Sequence, residues 1–112
     1  MPVSVRIPIK LLGQSGCKFE FPDATIYLDP YLSNSVQEFD AADLDRQVPI
    51  ACMPENVTDA NWVIITHDHI DHCDPHTIPK LAFASPTARF IGPPSVIKKL
   101  LTWGVDTSRI QT

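Results

Sequence analysis

Residues 62–72 read Trp-Val-Ile-Ile-Thr-His-Asp-His-Ile-Asp-His, and this stretch decides the fold and the chemistry that we predict. Its first five residues, Trp62–Thr66, form a continuous, mainly apolar run, which is typical of a strand buried on both faces. Three histidines and two aspartates follow within six positions, where the strand opens into a loop. Because α/β folds place their chemistry at strand ends, the stretch predicts a polar site held by a buried strand.

The spacing of these polar residues predicts metal ligands. His67 and His69 are two positions apart, so in an extended segment both imidazoles point to one side and can chelate one ion. Asp71 and His72 follow after the chain turns and can serve a second ion nearby. Imidazole with carboxylate suits zinc, manganese or iron, and the lack of a thiolate pair argues against a closed structural zinc site. The predicted metal ligands are His67, His69, Asp71 and His72, and Asp71 is also the predicted catalytic residue. A histidine-rich polar loop without metal is the alternative.

Three further residues within or next to the motif have predicted roles. We expect Asp68 to point away from the metal and to support the site indirectly. Cys73 could be a ligand, but a small, partly buried residue in a loop is favoured. His76 lies outside the spaced set, and a surface or helix-capping histidine is favoured over a ligand.

Upstream of the motif, three short strands and a long connection are predicted. Val3–Leu12, Cys17–Phe21 and Thr25–Leu28 have strand-like composition and are joined by tight turns, so we predict an antiparallel meander. The polar segment 31–60 holds one helical candidate, Ala41–Arg46. Connections of this length are usually functional, so we predict a lid or substrate loop, with Tyr31 and Arg46 as candidates for substrate contact.

Downstream of the motif, two helices flank a further strand. Proline in a first turn, an apolar helix face and a terminal glycine support the helices. The predicted elements are a helix from Asp74 or Thr77 to about Ala84, a strand over Ala88–Ile91 and a helix from Pro93-Pro94 to Gly104. The element order is therefore βββ, loop, β, α, β, α.

Composition limits the partners. The chain has 112 residues, enough for one domain, and its net charge of −4 argues against a nucleic-acid surface, although a local basic cluster could still line a pocket. The N-terminus has no run long enough for a signal peptide or membrane span. Three cysteines without CxxC spacing predict reduced thiols and a cytoplasmic location. We expect a small-molecule substrate, no nucleic-acid or membrane partner, and a homo-oligomer.

The run His67-Asp68-His69-Ile70-Asp71-His72 resembles the HxHxDH motif of the metallo-β-lactamase superfamily. Its flanks, and other segments along most of the chain, look like the branch that contains L-ascorbate-6-phosphate lactonase. These segments are Leu12-Gly13, Val63-Ile64-Ile65-Thr66, Cys73-Asp74, Phe90-Ile91-Gly92-Pro93 and Trp103-Gly104-Val105.

This resemblance implies a fold, a ligand set and an activity. The fold would be half of an αββα sandwich, of class α/β, with residues 1–112 as its N-terminal half. His67 and His69 would bind one metal and Asp71 and His72 a second, zinc or manganese. Asp29 would support the metal loop through hydrogen bonds, with a turn-forming Asp-Pro as the equal alternative.

A complete site of this kind also needs a third histidine, a bridging carboxylate and a last histidine from later in the chain. We therefore expect a fragment, with completion of the site by a partner chain as the alternative, and no complete site in this chain alone. The implied activity is metal-dependent opening of a lactone of a sugar-acid phosphate. A phosphodiesterase or nuclease of the same superfamily, and a non-catalytic metal-binding domain, are the alternatives.

Overall fold

Six strands form one sheet and lie side by side in the order in which they follow along the chain. The computed structural model describes residues 8–12, 16–33, 52–69 and 72–111. The strands are β1 (Ile9–Leu11), β2 (Cys17–Glu20), β3 (Thr25–Leu28), β4 (Trp62–Ile64), β5 (Arg89–Ile91) and β6 (Ile110–Gln111). β1, β2 and β3 are antiparallel, which confirms the predicted meander, and β3 to β6 are parallel to one another.

Two helices begin and end near the prolines and the glycine that predicted their limits. α1 (Ile78–Ala84) has proline in its first turn, and Asp74 accepts the amide of His76 just before it. α2 (Pro94–Thr102) ends in a Schellman motif, in which Gly104 takes φ +85° and donates to the carbonyl of Leu101. Both predicted helix ends are confirmed. Two 3₁₀ turns, Pro54–Asn56 and Thr107–Arg109, complete the regular structure of the described residues.

The helices and one face of the sheet share the core. Tyr27, Val63 and Phe90 are register partners across β3, β4 and β5, and all three are buried. They belong to one apolar cluster with helix residues that include Leu81 and Leu100. Because side chains alternate along a strand, the neighbours of these residues lie on the opposite face.

We predicted that β4 is buried on both faces, and the opposite face of the sheet shows that this is wrong. Val63 is fully buried, but Trp62 and Ile64 are only half-buried, since the two described helices pack on the Val63 side. β4 also ends two residues earlier than predicted, and β6 was not predicted. Predicted features outside the described residues are Val3–Ile7 of the first strand, the turn at 13–15, the helix Ala41–Arg46 and its Arg46 contact.

None of the helices in the described ranges is long and apolar enough to cross a membrane. Cys17, Cys52 and Cys73 are all free thiols, as predicted. The cytoplasmic location stays a prediction.

Candidate metal centre

Because β3 and β4 pair in parallel, the loops that follow these two strands begin side by side. Leu28 is the register partner of Ile64, and the amide of Asp29 donates to the carbonyl of Ile64 at 2.8 Å. Asp29 therefore lies beside Thr66, the residue that precedes the histidine motif. It is buried and takes φ +46°, which turns the chain out of the strand at this point.

The carboxylate of Asp29 holds the start of the motif at two atoms. Its Oδ1 accepts the amide of Thr66 at 2.7 Å, and its Oδ2 accepts the hydroxyl of Thr66 at 2.6 Å. The predicted hydrogen bonds from Asp29 to this loop are therefore present. The alternative, a turn-forming Asp-Pro, describes the backbone of Asp29 but leaves these contacts unexplained.

Through Thr66, the same carboxylate determines which ring nitrogen of His67 carries hydrogen. Oγ1 of Thr66 lies 2.7 Å from Nδ1 of His67. An ionised carboxylate only accepts, so the single hydroxyl hydrogen goes to Asp29 and His67 Nδ1 must donate to Oγ1. In a neutral His67 ring this arrangement leaves the lone pair on Nε2, and a neutral imidazole is the form of histidine that binds metals. His72 Nδ1 also faces this carboxylate, at 3.1 Å from Asp29 Oδ2.

Asp29, His67 and His72 form a group with metal-ligand spacing. Each offers one ligand atom, and these atoms lie within 4.8 Å of one another. The two imidazole rings are 4.8 Å apart at their centroids and tilted by 55°. A carboxylate with two imidazoles suits zinc or manganese, so the residues fit a divalent ion.

Two main-chain hydrogen bonds to His69 help to bring His72 close to His67. The carbonyl of His69 accepts the amides of His72 and Cys73, at 2.9 and 2.6 Å. Among the predicted ligands, the structure brings His67 and His72 together, and His69 lies outside their group in the described part of the chain. Asp71, the predicted ligand and catalytic residue, lies outside the described residues. The ligand roles of His69 and Asp71 stay predictions.

A second buried carboxylate fixes the chain beyond the turn. Asp74 Oδ2 accepts the hydroxyls of Ser33, at 2.6 Å, and of Thr77, whose oxygen in turn accepts the amide of Leu32 at 2.8 Å. This network joins the segment after β3 to the start of α1. Tyr31 lies in that segment and is only 1% exposed, so its predicted substrate contact is wrong in this structure.

The remaining neighbours of the motif fit their simpler interpretations. Cys73 is fully buried, and burial raises the pKa of its thiol to about 11, so it is a protonated core residue at neutral pH. His76 and Asp68 are outside the group of possible ligands among the described residues. Two contributors were missed: Thr66, and Lys99, which contacts the loop from α2. No spacing rule signals either, because both depend on strand and helix placement.

A profile of the family described as "Beta-lactamase superfamily domain" matches residues 24–112, most of the chain. The chain belongs to the beta-lactamase superfamily. Within this superfamily it is 29% identical over 105 residues to the uncharacterized proteins Rv0906 of Mycobacterium tuberculosis and Mb0930 of Mycobacterium bovis. The match covers 94% of this chain but 28% of each relative, so the chain spans under a third of their length.

A solved structure supports the same superfamily fold. The chain is similar to Igni18, described as a novel metallo hydrolase from the archaeon Ignicoccus hospitalis, with a TM-score of 0.54 and 21% identity. The alignment covers 88% of this chain and 36% of Igni18. Together with the family match and the six-stranded sheet, this confirms the predicted α/β class and is consistent with a partial metallo-β-lactamase sandwich.

Proposed function

We propose that this chain contributes metal ligands to a metal-dependent hydrolase. The observation that carries the proposal is the convergence of Asp29, His67 and His72 at the ends of two parallel strands. Through Thr66, Asp29 presets the hydrogen position on the His67 ring, and orienting a histidine ligand is the usual role of a carboxylate beside a metal site. Membership of the beta-lactamase superfamily supports the same assignment.

The residues of this chain have distinct tasks at the proposed site. His67 and His72 would be metal ligands, and His69 and Asp71 are the further ligands that the motif predicts for two ions. Because both oxygens of Asp29 already accept hydrogen bonds from Thr66, we assign Asp29 to orienting the ligands. A divalent ion held by these residues would supply a Lewis acid that lowers the pKa of water and polarises a carbonyl.

The substrate that we propose is a lactone of a sugar-acid phosphate, a small molecule. Support comes from the segments that flank the motif and resemble the lactonase branch, including Phe90-Ile91-Gly92-Pro93. A nuclease would need a basic surface to bind phosphates, and the net charge of −4 gives no support for one.

We also propose that residues outside this chain complete the site. Four predicted ligands shared by two ions leave two protein donors each, whereas catalytic zinc usually has three and a water. The longer relatives, of which this chain matches 28%, have the length to supply them. The chain alone is therefore not expected to turn over substrate.

Metal binding by histidine variants tests the proposal. Zinc and manganese affinities are measured by competition with a chromophoric chelator for wild type, His67→Ala, His72→Ala and the control His76→Ala. We expect each of the first two variants to lose about tenfold or more in affinity, and the control to match wild type. Equal losses in all three variants, or no binding by wild type, would reject the proposed site.

A further inference from the structure

Lys99 reaches from α2 to the histidine motif. Its Nζ donates a hydrogen bond to the main-chain carbonyl of Asp68, the residue between His67 and His69. Lys99 and Asp68 also line one groove, together with Ser95, Lys98 and Thr102. We propose that Lys99 is a positioning residue that holds the metal-binding segment in place, and its effect on metal affinity rests on the proposed function.

The contact completes a two-point attachment of the segment. Asp29 holds the amide and hydroxyl of Thr66, and Lys99 holds the carbonyl of Asp68. The Asp68 carbonyl shares a planar peptide group with the His69 amide, so Lys99 also restrains the orientation of that group. His67 therefore lies between two restrained peptide groups, one fixed by the sheet and one by a helix.

The ammonium group suits this task. A hydrogen bond from a charged donor is stronger than one between neutral groups, and the four-carbon stem spans the gap between helix and loop. The adjacent Lys98 lines the same groove but is exposed, whereas Lys99 is half-buried. The two lysines carry the same charge at neighbouring positions, so Lys98 provides a matched control.

Charge and positioning predict opposite effects on metal affinity. A nearby ammonium repels a divalent cation. If Lys99 acted only through its charge, its removal should therefore leave metal affinity unchanged or slightly higher. Loss of positioning should lower affinity, because the histidines no longer start in the binding geometry. A decrease for Lys99→Met without one for Lys98→Met therefore identifies positioning.

The first measurement needs no metal. ¹⁵N-labelled wild type, Lys99→Met and Lys98→Met are compared by amide chemical shifts and hydrogen exchange. We expect the His69 amide to shift and to exchange at least about threefold faster only in Lys99→Met, because only that variant releases its peptide group. Circular dichroism checks folding, and Lys99→Gln replaces Lys99→Met if that variant does not fold.

The second measurement is manganese affinity, followed by the electron paramagnetic resonance signal of free Mn²⁺. We expect about a tenfold loss for Lys99→Met, less than about twofold change for Lys98→Met, and recovery to within about threefold for Lys99→Arg. An unchanged His69 amide in Lys99→Met, or equal affinity changes in both methionine variants, overturns the positioning role. Absent manganese binding by wild type rejects the proposed function, and the amide comparison still decides whether Lys99 holds the loop.

Discussion

At the scale of single residues, the sequence predicted the histidine motif but only some of the residues that hold it in place. His67 and His72 were predicted from spacing, and Asp29 from a resemblance, and the structure brings all three together. The hydroxyl of Thr66 was missed, because its role depends on the strand register that places it beside Asp29. Ligand type is a property of the residue, whereas support depends on neighbours distant in sequence.

Asp29→Asn tests whether this carboxylate determines which ring nitrogen of His67 carries hydrogen. An amide nitrogen in place of Oδ2 donates to Thr66 Oγ1, so the hydroxyl hydrogen turns to His67 Nδ1 and moves the ring hydrogen to Nε2. We expect the ¹⁵N shifts of His67 to report this tautomer and zinc affinity to fall about 10- to 100-fold. Asp23→Asn, in an exposed turn, is the control. An unchanged tautomer with unchanged affinity would contradict the assignment.

The cysteines provide a test of burial beside the site. Burial raises the pKa of Cys73 to about 11 and its side chain is fully buried, so thiolate is scarce at pH 8 and reagents cannot reach it. We expect iodoacetamide at pH 8 to label Cys17 in the folded chain and to spare Cys73, and to label both in urea. Peptide mass mapping measures this. Rapid labelling of Cys73 in the folded chain would show that the turn after His72 opens readily.

At the scale of elements, the positions of strands and helices were predicted better than their lengths. Buried apolar runs, prolines and Gly104 determine where elements begin and end, and these are local signals. β6 has two residues, too few to show a period, and it forms because β5 offers a free parallel edge for pairing. Tyr31 is buried for a similar nonlocal reason, since the network around Asp74 fixes its segment against α1.

Gly16→Ala tests the contact between the start of β2 and the end of β3. Gly16 takes φ +87°, and a Cβ there would lie 2.4 Å from the carbonyl oxygen of Asp29. We expect a loss of about 2–4 kcal/mol in the free energy of unfolding, from left-handed strain and the backbone clash together.

Gly104→Ala separates these two causes. Gly104 has φ +85°, but no atom lies within 4 Å of the position that an alanine Cβ would take, so strain alone should cost about 1 kcal/mol. Urea unfolding of both variants gives the comparison, and metal affinity should fall only in Gly16→Ala because Asp29 must shift. Equal losses of stability would show that the contact with Asp29 is not tight.

At the scale of the whole molecule, the sheet has two unlike faces. One carries Tyr27, Val63 and Phe90 beneath the helices. The other carries two apolar rows with no described helix on them. Register partners place Ile9, Phe19, Ile26 and Trp62 in one row, and Leu11, Cys17, Leu28, Ile64 and Ile91 in the other. In the sandwich that the superfamily implies, such a face packs against a second sheet.

We predict that this apolar face makes the 112-residue chain self-associate, the expected homo-oligomer. Leu11 is 75% exposed on that face, so Leu11→Lys should shift the chain toward monomer in light scattering at about 100 μM. Phe83 is 89% exposed but projects from α1, on the helix side of the sheet. If any exposed apolar side chain drove association, Phe83→Ser would disrupt it as strongly; we expect it to change little. A monomeric wild type would contradict the prediction, and an effect of Phe83→Ser alone would move the interface to the helices.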